Sequence, residues 1–386
     1  MSTKRKVCVV ITARPSYSRI KTAMQAIKEH PGLELQLVLA GSALLDRYGS
    51  IENTIEKDGF TANEKVYMVL EGENPMAMAK TTGIGLLELS NILYNLKPDI
   101  VLVIADRFET ISVSIAAAYQ NIPLVHVQGG EITGNIDEKV RHANTKLADI
   151  HFVASENAKA RVIRLGEDPE YVFNTGCPSI DLAAGTLKHS ALSFDPYKKY
   201  GGVGETPSLD NGYIVVMQHP VTTEYEASRA QIIHTLAAVK ELNMPALWFW
   251  PNVDAGADGI SKGIRAYREK NMVSNIHFFK NMSPEDFLEL LYNSKCLVGN
   301  SSVGIRECSF LGVPVVNIGS RQEGRDRGDN VIDVDYNKDA ILNAVTQWIN
   351  SPKPSNSFVY GGGDAGKKMA DILDTIPLRY HKKINF

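Results

Sequence analysis

The chain has 386 residues, enough for two or three domains with large cores. Its 44% hydrophobic and 22% charged residues are ordinary for a soluble globular protein, and its net charge of −3, with Lys and Arg scattered, announces no nucleic-acid or membrane partner. Four cysteines (Cys8, Cys177, Cys296, Cys308) stand far apart without a CxxC or Cys/His cluster, which argues against structural zinc and predicts reduced thiols in a cytoplasmic protein.

The opening MSTKRKVCVVITARPS has a basic start and a short apolar run, superficially a signal peptide. The run ends after about six residues at Arg14-Pro15, so it reads as a first β-strand. Further strands are predicted at 33–41, 100–105, 124–127 and 150–155, with helices at 17–30, 83–96 and 110–121 between them. Continuous apolar strands alternating with helices predict a parallel sheet covered on both faces. Residues 185–212 break into a polar, Gly- and Pro-containing stretch. The alternation then restarts at 213–218, 245–250, 275–279, 296–299 and 314–318. No stretch approaches the roughly 20 apolar residues of a membrane span.

The expected architecture is two doubly wound, Rossmann-like α/β domains facing a central cleft. The N-terminal domain is 1–185, a linker covers 186–212, and the C-terminal domain is 213–363. A last helix within 364–386 is expected to pack back on the N-terminal domain. Ligands of such sheets bind beyond the carboxyl ends of the strands. The residues at the strand exits are therefore candidates for a site: Arg14 and Ser18, then Asp106-Arg107, then Gln128-Gly-Gly-Glu131, then His219, then Asn252 and Asp254, then Asn300-Ser301-Ser302.

Gly299, Ser301, Ser302 and Gly304 form a small-residue turn into a helix, the pattern of an anion site, with Arg321 and Arg325 after the next strand. Glu307, one turn on, is placed to accept ribose hydroxyls. The plainer alternative is that the serines only cap a helix. Asp106-Arg107 also has a plain reading as a surface ion pair, and His219 alone as a packed core histidine. The loop and helix at 129–149 gather Glu131, Asp137, Glu138, Arg141 and His142 beside a glycine pair. Asp137 and Arg141 are spaced to pair with each other; equally, carboxylates beside a diphosphate suit proton transfer. No P-loop, GxSxG, HExxH or full GxGxxG is present.

Seven pieces, in order along nearly the whole chain, carry a family resemblance: ITARPSYSRIK, the DRFE turn, HVQGGEITGNIDEKVRHA, GCPSIDLA, QHPVTTEYE, WPNVDAGADG and GNSSVGIRE with GVPVVNIGSRQEGRDRG. In them the chain resembles the hydrolysing UDP-N-acetylglucosamine 2-epimerases of sialic- and legionaminic-acid biosynthesis, which have the GT-B fold. The resemblance implies release of a free manno-configured N-acetyl sugar and a nucleoside diphosphate. It implies no bound NAD or other cofactor, no essential metal, and a homo-oligomer, dimer or tetramer. It makes Asp106 a catalytic carboxylate and Asp137 a further catalytic acid, and sets Arg107 and His219 by the phosphates. Arg14 and Ser18 take the nucleotide side, Asn252 and Asp254 line the cleft, and Ser301, Ser302, Glu307 and Arg321 hold diphosphate and ribose. Where these enzymes often carry a catalytic glutamate this chain has Gln128, which cannot exchange a proton at neutral pH. That role passes to Glu131 or is dispensable, and the substrate expectation widens to a 2,4-diacetamido-6-deoxy sugar nucleotide or a GDP-linked sugar. A GT-B glycosyltransferase and a non-catalytic nucleotide-sugar-binding protein are the competing expectations.

Overall fold

The computed structural model describes residues 4–45, 51–70, 75–132, 136–188, 191–251, 257–271 and 273–385. They fall into two units, Met1–Asp181 with Tyr360–Phe386, and Leu182–Val359. The first unit holds β1 (Arg5–Ile11), β2 (Leu33–Ala40), β3 (Glu64–Val66), β4 (Ile100–Ile104), β5 (Leu124–Val127), β6 (Ile150–Val153) and β7 (Val172–Asn174). All pair in parallel, in the order β3-β2-β1-β4-β5-β6-β7. Side chains alternate across β1 and β4, and both faces are apolar. Val7, Val9, Ile11, Leu102 and Ile104 enter one core with Met24 and Leu373. Cys8, Val10, Val101 and Val103 enter the other with Leu89 and Val113. This two-sided burial is why the strands read as unbroken apolar runs.

The second unit repeats the design with β8 (Val203–Gly204), β9 (Ile214–Met217), β10 (Ala246–Phe249), β11 (Ile276–Phe279), β12 (Cys296–Gly299), β13 (Val315–Ile318) and β14 (Val331–Val334). Their order is β14-β13-β12-β9-β10-β11-β8, parallel except for the antiparallel edge β8. Within the expected linker, residues 196–200 form a short helix capped by Asp195, and Tyr197 stacks on Phe279 of β11. The helix Ala365–Thr375 packs on Lys21–Glu29 of the first unit, burying Met369 and Leu373 beside Met24 and Ile27.

Two helical expectations differ from the structure. The stretch 17–30 is two helices, Arg14–Ser18 and Lys21–Glu29, because the chain turns at Arg19 and Ile20. The helix expected from 83 begins at Pro75, since tertiary packing carries it through Gly83 and Gly85. No helix among the described residues is long and apolar enough to cross a membrane.

In each unit the strand order reverses beside its first long strand, between β1 and β4 and between β9 and β12. Ligand crevices of doubly wound sheets open at such switch points. Thr12–Ser18 and Ala105–Glu109 emerge at the first of them, and Gln218–Pro220 and Asn300–Ser302 at the second.

At the end of β12, Gly299 has φ +139°, and a Cβ there would lie 2.1 Å from the carbonyl oxygen of Met217. Gly299→Ala is expected to destabilise the second unit by about 2 kcal/mol or more. All three tryptophans (Trp248, Trp250, Trp348) belong to this unit, so their fluorescence in a denaturant titration reports the change. An unchanged midpoint would show that the strand exit tolerates a side chain.

Candidate active site

In the first unit the switch point is organised around one buried cation. Arg141, on the helix Ile136–Leu147, is 1% exposed and bonds the Asp106 carboxylate with Nη2. Its Nη1 donates to Glu138 Oε2 at 2.9 Å and to the carbonyl of Glu131 at 2.7 Å. Burial works to lower the Arg141 pKa, but the carboxylates of Asp106, Glu131 and Glu138 outweigh it and raise it. Four residues singled out in the sequence, Asp106, Glu131, Glu138 and Arg141, thus form one cluster at the exits of β4 and β5.

Gln128 is buried at the end of β5 with φ +66°, and Ala105, the residue before Asp106, has φ +62°. Two non-glycine residues in left-handed conformation at adjacent strand exits store strain of about 1–3 kcal/mol each. The Gln128 amide donates to Cys177 Sγ at 3.0 Å, and that sulfur lies 3.0 Å from Ser179 Oγ. The side chain thus meets a neutral thiol and has no group that titrates near neutral pH. Arg107 Nε lies 3.5 Å from the buried carboxylate of Glu109, which also accepts from Ser42 at 3.4 Å. Arg14 opens the short helix after β1, its guanidinium held below the usual value by burial. Ser18 closes that helix and donates to the carbonyl of Pro15. Asp137 lies on the helix of Arg141; its side chain is outside the described residues, as are Asn252 and Asp254.

In the second unit the switch point is held by Asn300, which is fully buried. Its Oδ1 accepts from the His219 amide at 2.7 Å and its Nδ2 donates to the His219 carbonyl at 2.9 Å, locking the exits of β9 and β12 together. Arg321 Nη1 and Gln322 Nε2 both donate to the carbonyl of Asn300, at 3.0 and 2.9 Å. Burial, and then the charge of Arg321, push the His219 pKa down to about 3. Ser301 caps the next helix by accepting from the amide of Val303, and Ser302 accepts from the buried Arg306. That helix, Ser302–Ile305, is only four residues long, and Arg306 separates it from Glu307–Leu311. So short a helix has little macrodipole, and the capacity to hold an anion rests on hydroxyls and Arg321. Glu307 is buried, with no hydrogen-bond partner on Oε2 among the described residues.

Arg306 was passed over in the sequence, because it lay inside an amphipathic run with no sign of burial, and Asn300, named there at a strand exit, gave no sign of its locking role.

Two Rossmann-like units in tandem, each with polar and charged side chains gathered at its switch point, define a two-domain α/β enzyme of GT-B-like fold. The family model described as UDP-N-acetylglucosamine 2-epimerase matches residues 25–374. A UDP-N,N'-diacetylbacillosamine 2-epimerase (hydrolyzing) of Legionella pneumophila is 33% identical over 97% of both chains. A GDP/UDP-N,N'-diacetylbacillosamine 2-epimerase (hydrolyzing) of Campylobacter jejuni is 32% identical over 86% of this chain and 85% of its own. The fold matches the crystal structure of UDP-GlcNAc 2-epimerase from Neisseria meningitidis bound to UDP-GlcNAc, with TM-score 0.79 and 19% identity over 95% of this chain and 99% of that one. The chain belongs to the UDP-N-acetylglucosamine 2-epimerase family and is an enzyme of its hydrolysing 2-epimerase type.

The depressed pKa of His219 makes stability depend on pH. Unfolded histidine titrates near 6.5. Between that value and about 3 the unfolded chain binds a proton that folded His219 refuses. The stabilisation is therefore complete above about pH 6.5 and is lost as pH falls below it. His219→Asn is expected to flatten the loss of second-unit stability between pH 7 and pH 5, read by tryptophan fluorescence. An identical slope in the variant would place His219 in contact with water.

Proposed function

We propose that the enzyme takes a UDP- or GDP-linked 2,4-diacetamido-6-deoxy sugar and releases the free manno-configured sugar and the nucleoside diphosphate. The observation that carries the catalytic part is the Asp106 carboxylate, presented at the β4 switch point and oriented by buried Arg141. The diacetamido substrate is supported by the printed activities of the Legionella and Campylobacter relatives. The product is of the kind that sialic- and legionaminic-type acids are built from, and a cytoplasmic setting fits four free, buried thiols.

In this reading Asp106 removes the proton at carbon 2 while the bond from carbon 1 to the diphosphate oxygen breaks. The leaving group takes the electron pair and a glycal remains. Arg321, Arg107 and the Ser301 and Ser302 hydroxyls stabilise the charge growing on the diphosphate, and Glu307 binds ribose hydroxyls. Arg14 and Ser18 lie on the nucleotide side, and Asn252 and Asp254 contact the sugar. His219, kept neutral by burial, donates to a phosphate without adding charge. Water then adds its hydroxyl to carbon 1 while Glu131 or Asp137 supplies a proton to the opposite face of carbon 2. The proton released by water returns to that carboxylate, and Asp106 gives up the proton it took to the departing diphosphate. Gln128 has no part in proton transfer.

Run in heavy water, the reaction is expected to place deuterium at carbon 2 of the released sugar. Asp106→Asn should lower kcat about 10²- to 10⁴-fold, the usual contribution of general acid–base catalysis, with nucleotide affinity little changed. Arg321→Ala should weaken nucleoside-diphosphate binding by roughly 1.5–3 kcal/mol. Product carrying only its original hydrogen at carbon 2 would exclude the elimination, and a near-normal rate for Asp106→Asn would clear that residue.

We further propose a homo-oligomer. Tyr67, Leu70, Met76, Leu87, Tyr94 and Tyr119 are exposed on and beside the helix Pro75–Leu96. Such an apolar patch marks an interaction surface. The helix carries one cation and one anion, Lys80 and Glu88, both exposed. Antiparallel pairing about a two-fold axis sets each against its opposite in a second copy. Leu87→Asp with Tyr94→Asp should reduce the sedimenting mass to one chain; a monomeric wild type would overturn the proposal.

A further inference from the structure

The strain at Ala105 is held in place by a closed circuit of contacts. The Ala105 amide donates to the carbonyl of Val127 at 2.9 Å. Its carbonyl lies 2.9 Å from Nε2 of His126, on β5 and fully buried. A carbonyl can only accept, so Nε2 carries the proton. Burial lowers the His126 pKa to about 4, so the ring is neutral at physiological pH and Nδ1 is an acceptor. Nδ1 faces Thr145 Oγ1 at 3.0 Å, and the threonine hydroxyl is therefore the donor. Thr145 stands one turn beyond Arg141 on the same helix, and Arg141 bonds the Asp106 carboxylate. Ala105 joins Asp106 through the next peptide bond, which closes the circuit. Gly129 leaves it room, since a Cβ there would come within 3.0 Å of both His126 Nδ1 and Thr145 Oγ1.

We propose that His126 is a positioning residue for the reaction: by donating to the strained Ala105 carbonyl and accepting from Thr145, it fixes the direction in which Asp106 faces the sugar. The inference rests on the reading of Asp106 as the catalytic carboxylate. His126 touches no substrate and moves no proton. Its effect is geometric, through the one backbone residue that aims the carboxylate. Peptide rotation at Ala105 is opposed at both ends, its amide by Val127 and its carbonyl by His126. Without the second bond, the left-handed conformation is held from one side only.

The test uses the full-length enzyme with the UDP-linked diacetamido sugar as substrate and UDP as binding probe. His126→Phe keeps an aromatic ring and loses both bonds; His126→Gln keeps an N–H able to reach the Ala105 carbonyl. His126→Phe should lower kcat about 10- to 100-fold, the scale of an ångström-sized misplacement, with UDP affinity unchanged. His126→Gln should recover most of that loss. The double variant His126→Phe/Asp106→Asn should be no slower than Asp106→Asn alone, because the histidine acts through the aspartate. Should His126→Phe fail to fold, Thr145→Val removes the hydroxyl that orients the ring and is expected to lower kcat in the same direction. Wild-type kcat in His126→Phe (or in Thr145→Val) beside a slow Asp106→Asn would overturn the positioning role while leaving Asp106 in place. A further loss in the double variant, or a fall in UDP affinity, would make His126 a general structural residue. A near-normal Asp106→Asn would instead overturn the reading on which the inference rests.

Discussion

A buried guanidinium must be surrounded by acceptors, and Arg141 sets the terms for everything around it. Removing such a charge from water costs several kcal/mol, and deleting one partner of a buried pair typically costs about 3–5 kcal/mol. The acceptors come from three places: Asp106 after β4, the Glu131 carbonyl after β5, and Glu138 one turn earlier on its own helix. None of these segments can shift without leaving part of the cation unmet. The same arrangement that satisfies the charge orients the Asp106 carboxylate, and the contacts of Ala105 with Val127 and His126 join it in holding the exits of β4 and β5 in register.

The helix that carries Arg141 is secured at its far end as well. Lys382, near the chain terminus, donates to the carbonyls of Thr145, Lys146 and Ala148, the groups a helix C-terminus leaves without intrahelical partners. It also pairs with Glu167, which is 1% exposed and meets His151 and Lys146 besides. Burial works to raise the Glu167 pKa, but these partners hold it down to about 2. Arg379 anchors the same tail, bonding Asp168 and lying over the Tyr171 ring at 3.1 Å. Lys382 thus caps the helix whose Arg141 bonds Asp106, which ties sequence-distant segments of the first unit together.

The two units share a strand order but use it for different electrostatics. In the first, carboxylates are gathered around one arginine. In the second, Asn300 performs the locking that Arg141 performs in the first, with neutral hydrogen bonds, and Arg321 closes onto its carbonyl. His219 is neutral at physiological pH, so the positive charge of the second cluster comes from its arginines. A cationic cluster suits binding of a diphosphate, and a carboxylate-rich one suits proton transfer. In the proposed reading, one fold used twice separates the two tasks.

This division also explains which parts of the molecule were legible in the sequence. Long central strands showed because burial on both faces demands unbroken apolar runs, as at IVLVI and CLVG. The edge strands Glu64–Val66, Val172–Asn174, Val203–Gly204 and Val331–Val334 did not, since an edge is short and half solvated and its composition resembles a loop. Asp106, Glu131, Ser301 and Arg321 showed because charged or small polar residues after strands are conspicuous against apolar runs, and Arg141 because it stands among the charges gathered beside a glycine pair. His126 and Asn300 lack such contrast. His126 faces inward from a strand and reads as packing, while Asn300 reads as one more turn residue. Their function lies in where their hydrogen bonds end, on Ala105 and His219, and those pairings of distant residues exist only after the chain has folded.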